Sequence, residues 1–493
     1  MKRMPDVLGA CALAGIVASG AWAAPNDPVT QADLKALVER IAKLEAENKA
    51  QAARIAELEG QVRAAAPKAA GAAPAVEGGA APAVEEGTSV RADGRVYTTA
   101  QGRSYYLADK VAGIFEPLSE SGLKVTPYGY LIMEAVYNTH TSESDYYTDY
   151  VRSKRHKSYK GGTTTLSAQD SILGIRMETP EAENGWMFAG KAEFGLTGDH
   201  ANDYAFRWRH LYIEATHEAS GWSILGGQTW HLWKMVAPSE IDCAWMENTG
   251  YPYRRSPQFR VTKTWDWADD RLEARVGLVK NGPGMGGDRD GDGTQDNSAS
   301  HWALFEGAVV YERDAAWDRG RRWLLGLGGM YGRDRSSRRG ADGSFTHTYD
   351  NYDSQMLMAA FSVPFLEKFT FVGQVFAGEN LGGVQAGVGQ RVAYYAPDRR
   401  GHEVSTIGGF FELKFAPDDV WSFAGGYGFD DPDNSEAKYA KGILHNDRAY
   451  IDAFYRVNRN FKIGVEYAHL RTQWYGEGTS HADRVQLSAF YDF

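Results

Sequence analysis

Cysteine is nearly absent from this sequence. Two cysteines occur among 493 residues, Cys11 and Cys243, and the first lies in an N-terminal segment that is predicted to be removed on export. Cys243 is then alone, so no intramolecular disulfide can form although the predicted compartment would allow one. Zinc sites built from paired cysteines are excluded as well.

Long apolar runs are also lacking beyond the N-terminus. No stretch there approaches the roughly 18 consecutive apolar residues that a transmembrane helix needs. The formal net charge is -11. This acidic balance argues against a nucleic-acid-binding protein, because such a protein is expected to carry a basic stripe. What the sequence does have is 13% aromatic residues and 55 glycines. Together with a scarcity of helical patterns past residue 120, this composition favours a β-barrel, whose alternating strands escape hydropathy searches.

The first 23 residues have the form of a secretory signal peptide. Lys2 and Arg3 precede a short apolar stretch, and Ala-Trp-Ala at 21–23 is a typical cleavage site. The alternative is lipoprotein processing at Cys11, but a proline and an aspartate leave almost no hydrophobic run ahead of that residue. We therefore expect export to the periplasm, with a mature chain that begins at Ala24.

Residues 29–63 carry the one strong helical pattern. Apolar residues recur at alternating intervals of three and four through nine positions, interrupted by one polar layer: Leu34, Leu37, Ile41, Leu44, Asn48, Gln51, Ile55, Leu58 and Val62. This spacing predicts a short coiled coil, and the alternative is an amphipathic helix that packs on a domain. Residues 64–86 are rich in Ala, Pro, Gly and Glu and predict a linker. Residues 87–123 form a transition segment that either joins the barrel or remains in the periplasm.

From residue 124 to the end the pattern changes to period two and predicts sixteen strands, the second of them over 165–178. The expected fold is all-β: a transmembrane, sixteen-stranded antiparallel barrel at 124–493 with an N-terminal α-helical coiled coil. In the third strand, Trp186, Phe188 and Phe194 share one face, and Lys191 and Glu193 occupy the other. Predicted strands of eleven to fifteen residues suit a bilayer better than a soluble sandwich, whose strands usually have about five or six.

The predicted connections alternate in length, as outer-membrane barrels require. Short turns alternate with a second set that is mostly long, namely 139–164, 229–257, 282–301, 335–352, 381–401 and 432–445, with short exceptions at 199–202 and 475–481. An even number of strands puts both ends of the barrel on the short-turn side. The coiled coil and the C-terminus are therefore both expected in the periplasm.

The last strand ends in a pattern of its own. Hydrophobic residues occupy alternate positions back from the carboxyl end, closing with Val485, Leu487, Ala489, Tyr491 and Phe493. A terminal Phe preceded by alternating hydrophobic residues is similar to the signal that outer-membrane barrels present to their assembly machinery. Such a strand could pair with that machinery by β-augmentation. We assign Tyr491 and Phe493 to this signal; the alternative is an ordinary last strand.

The 29-residue segment 229–257 is too long for a turn, and loops of this length are usually functional. In its place after the fifth predicted strand it resembles the loop of trimeric general porins that folds into the lumen, and this resemblance implies that it constricts the pore, through Lys234, Glu240, Asp242, Arg254 and Arg255. Arginine forks suit carboxylate and phosphate groups, and rings of charge set ion preference. The alternative is a surface loop with solvated charges.

The strand pattern also predicts a charged wall. The inward basic residues are Arg176, Lys191, Arg260, Arg271, Arg275, Arg448, Arg456, Lys462 and Arg484. The inward acidic residues are Glu134, Glu193, Glu273, Glu306, Asp452 and Glu466. The faces of the second and fourth strands are uncertain by one residue, which would reverse their contributions. This mixed wall resembles the basic ladder that faces an acidic side in porins, and the resemblance implies a preference for small anions or zwitterions.

One outer loop has aspartates at the spacing of a calcium loop: Asp288, Asp290, Asp292 and Asp296, with Gly293 at the turn position. Position 12 is Ala299, so the bidentate glutamate of an EF-hand is missing. The spacing therefore predicts either a Ca²⁺ site or a flexible, solvated acidic loop. No other cofactor is expected.

Taken together, these elements resemble the DcaP-like porins of Gram-negative bacteria, and the phosphate-selective porins share much of the plan. The local matches are Tyr128-Gly129-Tyr130, Gly227-Gln228-Thr229-Trp230 and Arg255-Ser256-Pro257-Gln258. The resemblance implies a homotrimer in the outer membrane and passive uptake of small solutes, often anions such as dicarboxylates. The coiled coil would hold three barrels in register and extend towards the peptidoglycan.

The sequence therefore predicts a passive diffusion channel and no enzymatic activity. The first alternative is a structural tether between the outer membrane and the peptidoglycan, in which the pore is incidental. The second is a barrel enzyme such as a phospholipase or protease. Its histidines, however, are scattered without a motif around any of them, including His210, His231, His402, His445, His469 and His481.

Overall fold

The computed structural model describes residues 122–142, 147–157, 159, 161–182, 184–197, 205–281, 303–315, 318–339, 345–394 and 401–493. The predicted signal peptide, coiled coil, linker and aspartate loop lie outside the described residues, and so does the transition segment except for its last two residues. Within the described ranges, no helix is both long enough and apolar enough to cross a membrane.

Sixteen antiparallel strands close into one barrel. They are β1 (Lys124–Asn138), β2 in two segments (Thr163–Ser167 and Ile172–Glu178), β3 (Trp186–Thr197), β4 (Ala205–His217), β5 (Trp222–Trp230), β6 (Arg255–Trp267), β7 (Asp270–Val279), β8 (Leu304–Ala315), β9 (Asp318–Arg339), β10 (Phe345–Pro364), β11 (Phe369–Glu379), β12 (Ser405–Phe415), β13 (Trp421–Pro432), β14 (Ile443–Arg456), β15 (Phe461–Trp474) and β16 (Gly478–Asp492). Each strand pairs with its neighbours in sequence. Closure comes from β1 and β16, which pair from Tyr130 opposite Asp492 to Asn138 opposite Arg484.

The predicted number and order of strands are confirmed, but the connection at 335–352 was predicted wrongly as a loop. There β9 and β10 continue as a long hairpin, with Arg335 paired to Asn351 and Ser337 to Tyr349. The returning segment is rich in threonine and aromatic residues, which favour extended structure even where the residues are polar. Polarity alone was therefore a poor guide to the end of these strands.

The second strand is interrupted rather than continuous. Ser167 lies opposite Glu134, and Ile172 lies opposite Tyr130, so four residues of β2 face three of β1. This extra residue is a β-bulge, and it reverses which side chains face the lumen. Beyond the bulge the even-numbered residues point inward, and Arg176 therefore lies on the inner face, as predicted.

A second bulge lies in β4. Glu193 pairs with His210 and Phe194 pairs with Trp208, which leaves Arg209 as the extra residue. Both Arg209 and His210 consequently point into the barrel: Arg209 donates a 2.9 Å hydrogen bond to Glu193, and the His210 ring lies 2.9 Å from the Thr229 hydroxyl. Bulges that redirect side chains are typical of the surroundings of functional sites.

The outside of the barrel is apolar. On β1, Leu131 and Met133 are 50% and 61% exposed, whereas the alternating Ile132 and Glu134 are 5% and 2% exposed. Near the short turns, an outward band of neighbouring aromatic rings crosses β11 to β14, with centroids 4.6 to 6.1 Å apart, formed by Phe369, Phe415, Trp421, Phe423 and Tyr455. Apolar strands flanked by an aromatic girdle are the surface that a bilayer requires.

Candidate functional site in the barrel lumen

The connection between β5 and β6 enters the barrel, as predicted; we call residues 231–254 the inner loop. Its backbone amides donate to carboxylates on the wall: Ser239 N to Glu412 at 2.7 Å, and Ile241 N to Glu466 at 2.6 Å. Near the start of the loop, Leu232 N donates to Glu306 at 3.0 Å. Buried amides need partners, and inward carboxylates on several strands provide them here. The inner loop is thus attached across the lumen rather than exposed outside it.

Arg448 on β14 is the centre of the strongest attachment. Its guanidinium lies 2.8 Å from Asp242 and 3.1 Å from Glu466, and it also contacts Glu240. Arg484 on β16 adds a second contact to Asp242 at 3.2 Å. Although burial opposes ionisation, the two arginines hold the pKa of Asp242 below its usual range. The five side chains are 1% exposed or less, so each charge depends on the others for solvation.

Two wall glycines make room for the inner loop. Gly326 and Gly328 are consecutive inward positions of β9, and a Cβ at either would collide with a loop side chain, Met235 or Trp233 respectively. The loop therefore packs directly against the wall backbone, and Trp233 and Met235 are 0% and 2% exposed. Because a close approach of this kind needs positions without side chains, the glycine content contributes to the shape of the lumen.

Close to the two ends of the inner loop are cations that contact aromatic rings. Lys234 Nζ lies 3.8 Å from the centroid of the Trp230 ring, and the Arg255 guanidinium lies 4.0 Å from the same centroid. Trp245 and Tyr253 pack around Trp230, with centroids 6.0 and 5.8 Å away. Cation–π contacts orient a charge without neutralising it, whereas a carboxylate would cancel it.

Wall residues complete what we call the basic cluster, namely Lys191, Arg209, Lys234 and Arg255. The carboxylate of Glu193 lies inside it, and a second carboxylate, that of Asp170, also interacts with Arg209. Glu193 already accepts from Lys191 at 3.0 Å and from Arg209 at 2.9 Å. It also accepts a 2.8 Å hydrogen bond from the Tyr128 hydroxyl. Glu193 is thus hydrogen-bonded to groups of the wall, whereas Lys234 and Arg255 lie over the ring of Trp230.

Burial, followed by the neighbouring cations, lowers the pKa of Lys234 well below its usual range. A second carboxyl group on the inner loop, Glu247, responds in the opposite direction, because burial raises its pKa to about 7.

The five residues predicted to form the constriction do not share one environment. Lys234 and Arg255 contact aromatic rings, while Glu240 and Asp242 are buried in ion pairs with the wall. Arg254 donates to the carbonyl of Gly383 in another connection. That these residues constrict the pore stays a prediction. The geometry divides them into an acidic pair, Glu240 and Asp242, which attaches the loop to the wall, and the basic residues Lys234, Arg254 and Arg255.

The six arginines predicted to line the pore belong to inward positions of β6, β7, β14 and β16. Arg271 pairs with Glu273 at 3.3 Å, and Arg275 pairs with the same carboxylate and donates to Leu232 O at 3.1 Å. Arg260 and Arg275 are 4% and 2% exposed, and Arg448 and Arg484 hold the inner loop. Arg456 is exposed at the short-turn end.

Sequence reasoning missed two other connections that contribute to the lumen. In the connection after β1, Val151 N donates to Thr472 at 2.8 Å, and Asn446 donates to Asp149 O at 2.7 Å. In the connection after β11, Leu381, Val384 and Val388 are buried and their segment contacts the inner loop. Apolar residues in a connection that should be polar were the available signal.

The aspartates assigned to calcium, at 288–296, lie outside the described residues, and calcium binding stays a prediction. Among the residues that the structure does describe, no group of three or more His, Cys, Asp or Glu side chains could hold a metal ion.

The C-terminal residue takes part in barrel closure. Phe493 N donates to Gly129 O at 3.0 Å, and Gly129 N donates to Phe493 O at 3.2 Å. Tyr491 is 46% exposed on the outer face of β16. Tyr491 and Phe493 therefore lie at the end of β16, the strand that closes the barrel against β1.

Replacing Phe493 by serine is expected to reduce the amount of folded barrel in the outer membrane, because the assembly machinery would lose its terminal aromatic residue. The loss should concern assembly rather than stability, since the backbone hydrogen bonds to Gly129 do not need the ring. The measurement is the fraction of the protein in isolated outer membranes that runs as a folded, heat-modifiable barrel on a gel. The same variant refolded in detergent is measured in parallel, to separate assembly from stability. The control is Phe490→Ser, an aromatic residue of the other face. A normal level of Phe493→Ser in the membrane would refute the assigned signal.

The observations define a closed, sixteen-stranded antiparallel barrel with an apolar outside, a charged interior and a loop folded into its lumen. This fold is similar to that of the outer membrane channel DcaP of Acinetobacter baumannii. The two share a TM-score of 0.58 and 18% identity over 75% of this chain and 97% of that chain. The predicted resemblance to the DcaP-like porins is confirmed at the level of the fold.

Two further solved structures are similar at lower scores. The anion-selective porin from Comamonas acidovorans has a TM-score of 0.47 and 11% identity over 75% of this chain and 100% of that chain. The trimer form of OmpT from Vibrio cholerae has a TM-score of 0.48 and 12% identity over 75% and 99%. No protein-family model and no curated protein sequence matches the chain.

Proposed function

We propose that this chain is an outer-membrane porin of a Gram-negative bacterium, a passive channel for small hydrophilic solutes. The apolar, aromatic-rimmed outside supports a location in the bilayer. The charged interior supports passage of polar solutes. The structurally similar protein from Acinetobacter baumannii is described as an outer membrane channel.

The basic cluster carries the further proposal that the channel prefers anions, such as dicarboxylates or phosphate. Lys234 and Arg255 present charge from the inner loop and its junction with β6, while Lys191 and Arg209 present charge from the wall. The carboxylate of Glu193 lies among them and is already engaged by Lys191 and Arg209. With Lys234 protonated, the cluster therefore favours negative solutes through close-range electrostatics. Arginine side chains also offer carboxylate and phosphate groups paired donors.

We further propose a homotrimer whose N-terminal coiled coil lies in the periplasm. Support comes from the even strand number, which places both ends of the barrel on the short-turn side, and from the heptad pattern at 29–63. The partners would be outer-membrane lipid, the barrel assembly machinery and, beneath the barrel, the peptidoglycan. Catalysis is not part of the proposal.

Single-channel recording of the purified full-length protein in a planar bilayer tests the channel itself. We expect stepwise conductance with openings in groups of three, because each trimer would insert three pores together. Silence under all conditions, from protein that runs as a folded heat-modifiable barrel, would contradict the channel and favour the tether between the outer membrane and the peptidoglycan.

A further inference from the structure

Four neighbouring strands carry inward aromatic residues and one lysine at the short-turn end of the lumen. We call Tyr130 on β1, Phe454 on β14, Lys462 on β15 and Phe490 on β16 the aromatic patch. The strand register brings them together, because Lys462 pairs with Phe490, and Phe454 pairs with Gly464 at the next inward position of β15. The centroid of the Phe490 ring lies 6.0 Å from that of Phe454 and 6.5 Å from that of Tyr130. The three rings therefore form one surface, and the lysine lies within it.

The ammonium group of Lys462 is positioned by the rings of the aromatic patch. Its Nζ lies 4.7 Å from the centroid of the Phe490 ring and 5.5 Å from that of the Phe454 ring. Asp492 attracts it electrostatically, but among the residues that the structure describes no carboxylate forms an ion pair with it. Contact with aromatic rings fixes the position of a cation and leaves its net charge in place.

Three other inward cations near the short-turn end have carboxylate partners instead. They are Arg271, paired with Glu273 at 3.3 Å, Arg322, paired with Asp314 at 2.6 Å, and Lys414, paired with Glu412 at 3.2 Å. A cation with a carboxylate partner offers less attraction to an anionic solute, because the two charges largely cancel at a distance. Lys462 differs from these three cations in having aromatic rings where they have carboxylates.

The rings of the aromatic patch are partly exposed on the inner face of the barrel. Tyr130, Phe454 and Phe490 have intermediate exposure, whereas Trp230, the ring beneath the cations of the basic cluster, is 3% exposed. Gly464 leaves room for this arrangement, since a Cβ there would lie 2.9 Å from the Phe454 ring. The rings of the patch therefore offer a passing solute an aromatic surface that the buried Trp230 does not.

From this geometry we propose that the aromatic patch binds solutes that carry an aromatic ring next to a carboxylate. The carboxylate pairs with Lys462 in a charge-assisted hydrogen bond. The solute ring packs edge-to-face or offset against Phe454 and Phe490, the arrangements that aromatic pairs prefer. A lysine alone would attract any small anion, whereas the lysine and the rings together recognise both parts of one molecule. The inference rests on the proposed function as a channel, and it names a class of solute for which the lumen holds a binding site.

Saturation-transfer NMR of the full-length protein in lipid nanodiscs tests this proposal, with empty nanodiscs as the blank. The probes are benzoate and cyclohexanecarboxylate. Each carries one carboxylate on a six-membered ring and is ionised at neutral pH, so the two differ mainly in the aromaticity of the ring. We expect the wild type to bind benzoate roughly two- to tenfold more tightly than cyclohexanecarboxylate, which is the range that an aromatic pair contributes beyond its buried area.

Variants of the aromatic patch separate the two parts of the site. Phe454→Leu/Phe490→Leu removes two rings but keeps apolar side chains, so most of the preference for benzoate should disappear while cyclohexanecarboxylate binds as before. Lys462→Gln should weaken the binding of both probes by the same factor and leave their ratio unchanged. The matched control is Arg322→Gln, which removes a paired cation from the same end of the lumen and should bind both probes as the wild type does.

Three results would overturn the proposal. They are equal affinities of the wild type for the two probes, an unchanged preference for benzoate in Phe454→Leu/Phe490→Leu, and a loss in Arg322→Gln as large as that in Lys462→Gln. Single-channel conductance of the same proteins in potassium chloride tests the channel separately. A conducting barrel without the preference would refute the binding site alone, and a silent barrel that shows the preference would refute the channel alone.

Discussion

Replacing Arg448 by methionine is expected to release the inner loop and to give a larger, noisier channel. The substitution removes the cation that Asp242, Glu240 and Glu466 share. Asp242 keeps its contact with Arg484, but the buried carboxylates of Glu240 and Glu466 lose the arginine that they pair with. Breaking a buried ion pair by removing one side typically costs about 3–5 kcal/mol. The strand ladder does not depend on this residue, so the cost should fall on the loop and not on the barrel. Single-channel conductance and protease cleavage within residues 231–254 should both increase.

Two variants make this prediction specific. Arg456→Met removes an exposed arginine from the short-turn end of the same strand, and it should leave conductance and protease resistance unchanged. Adding Glu240→Gln to Arg448→Met should restore part of the resistance, because the ion pair of Glu240 is with Arg448 and one uncompensated charge disappears. If Arg448→Met keeps wild-type conductance and remains resistant to protease, the inner loop is held by other contacts and the account of its attachment is wrong.

Replacing Arg255 by glutamine is expected to remove most of the anion preference. At about 8 Å from a passing ion, and with an effective dielectric constant near that of water, one charge contributes about 0.5 kcal/mol. Anions lose this stabilisation and cations gain it, so the ratio of permeabilities should change about fivefold. The reversal potential in a salt gradient measures that ratio. Arg271→Gln is a suitable control, because Arg271 is paired with Glu273.

Lys234→Gln should have an effect that depends on pH, unlike Arg255→Gln. The pKa of Lys234 is lowered by burial and by the neighbouring cations, so this group loses its charge at a lower pH than an exposed lysine does. The wild type and Lys234→Gln should therefore differ most at acidic pH and converge as pH rises. Arg255→Gln should differ from the wild type throughout, because arginine stays charged. A pH-independent effect of Lys234→Gln would contradict the lowered pKa.

The barrel could be predicted from the sequence because its signals are local and repeated. Alternation in strands such as β3 and β14, together with the alternating connection lengths, is enough to determine the number of strands. The β2 bulge could not be predicted in the same way. One extra residue opposite β1 reverses a face, and periodicity alone does not say where the extra residue lies.

The charges of the inner loop show a second limit of prediction from the sequence. Sequence placed Glu240 and Asp242 beside Lys234 in one constriction, since all three belong to one long connection. Their environments depend instead on partners more than two hundred residues away, such as Arg448 and Glu466, and on wall positions without side chains. Trp230 was similarly noted as part of a sequence motif, but its contacts with two cations could be identified only from the structure. Long-range packing decides which charges attach the loop and which face the solute.

The most direct test of the account is the reversal potential of the wild-type channel in a planar bilayer with a gradient of potassium chloride. The two ions have nearly equal mobilities, so the sign of the potential reports the selectivity of the lumen. The basic cluster predicts the sign of a chloride-preferring pore, with a smaller magnitude as pH rises and Lys234 loses its charge. The sign of a potassium-preferring pore at neutral pH would contradict the role given to Lys234 and Arg255.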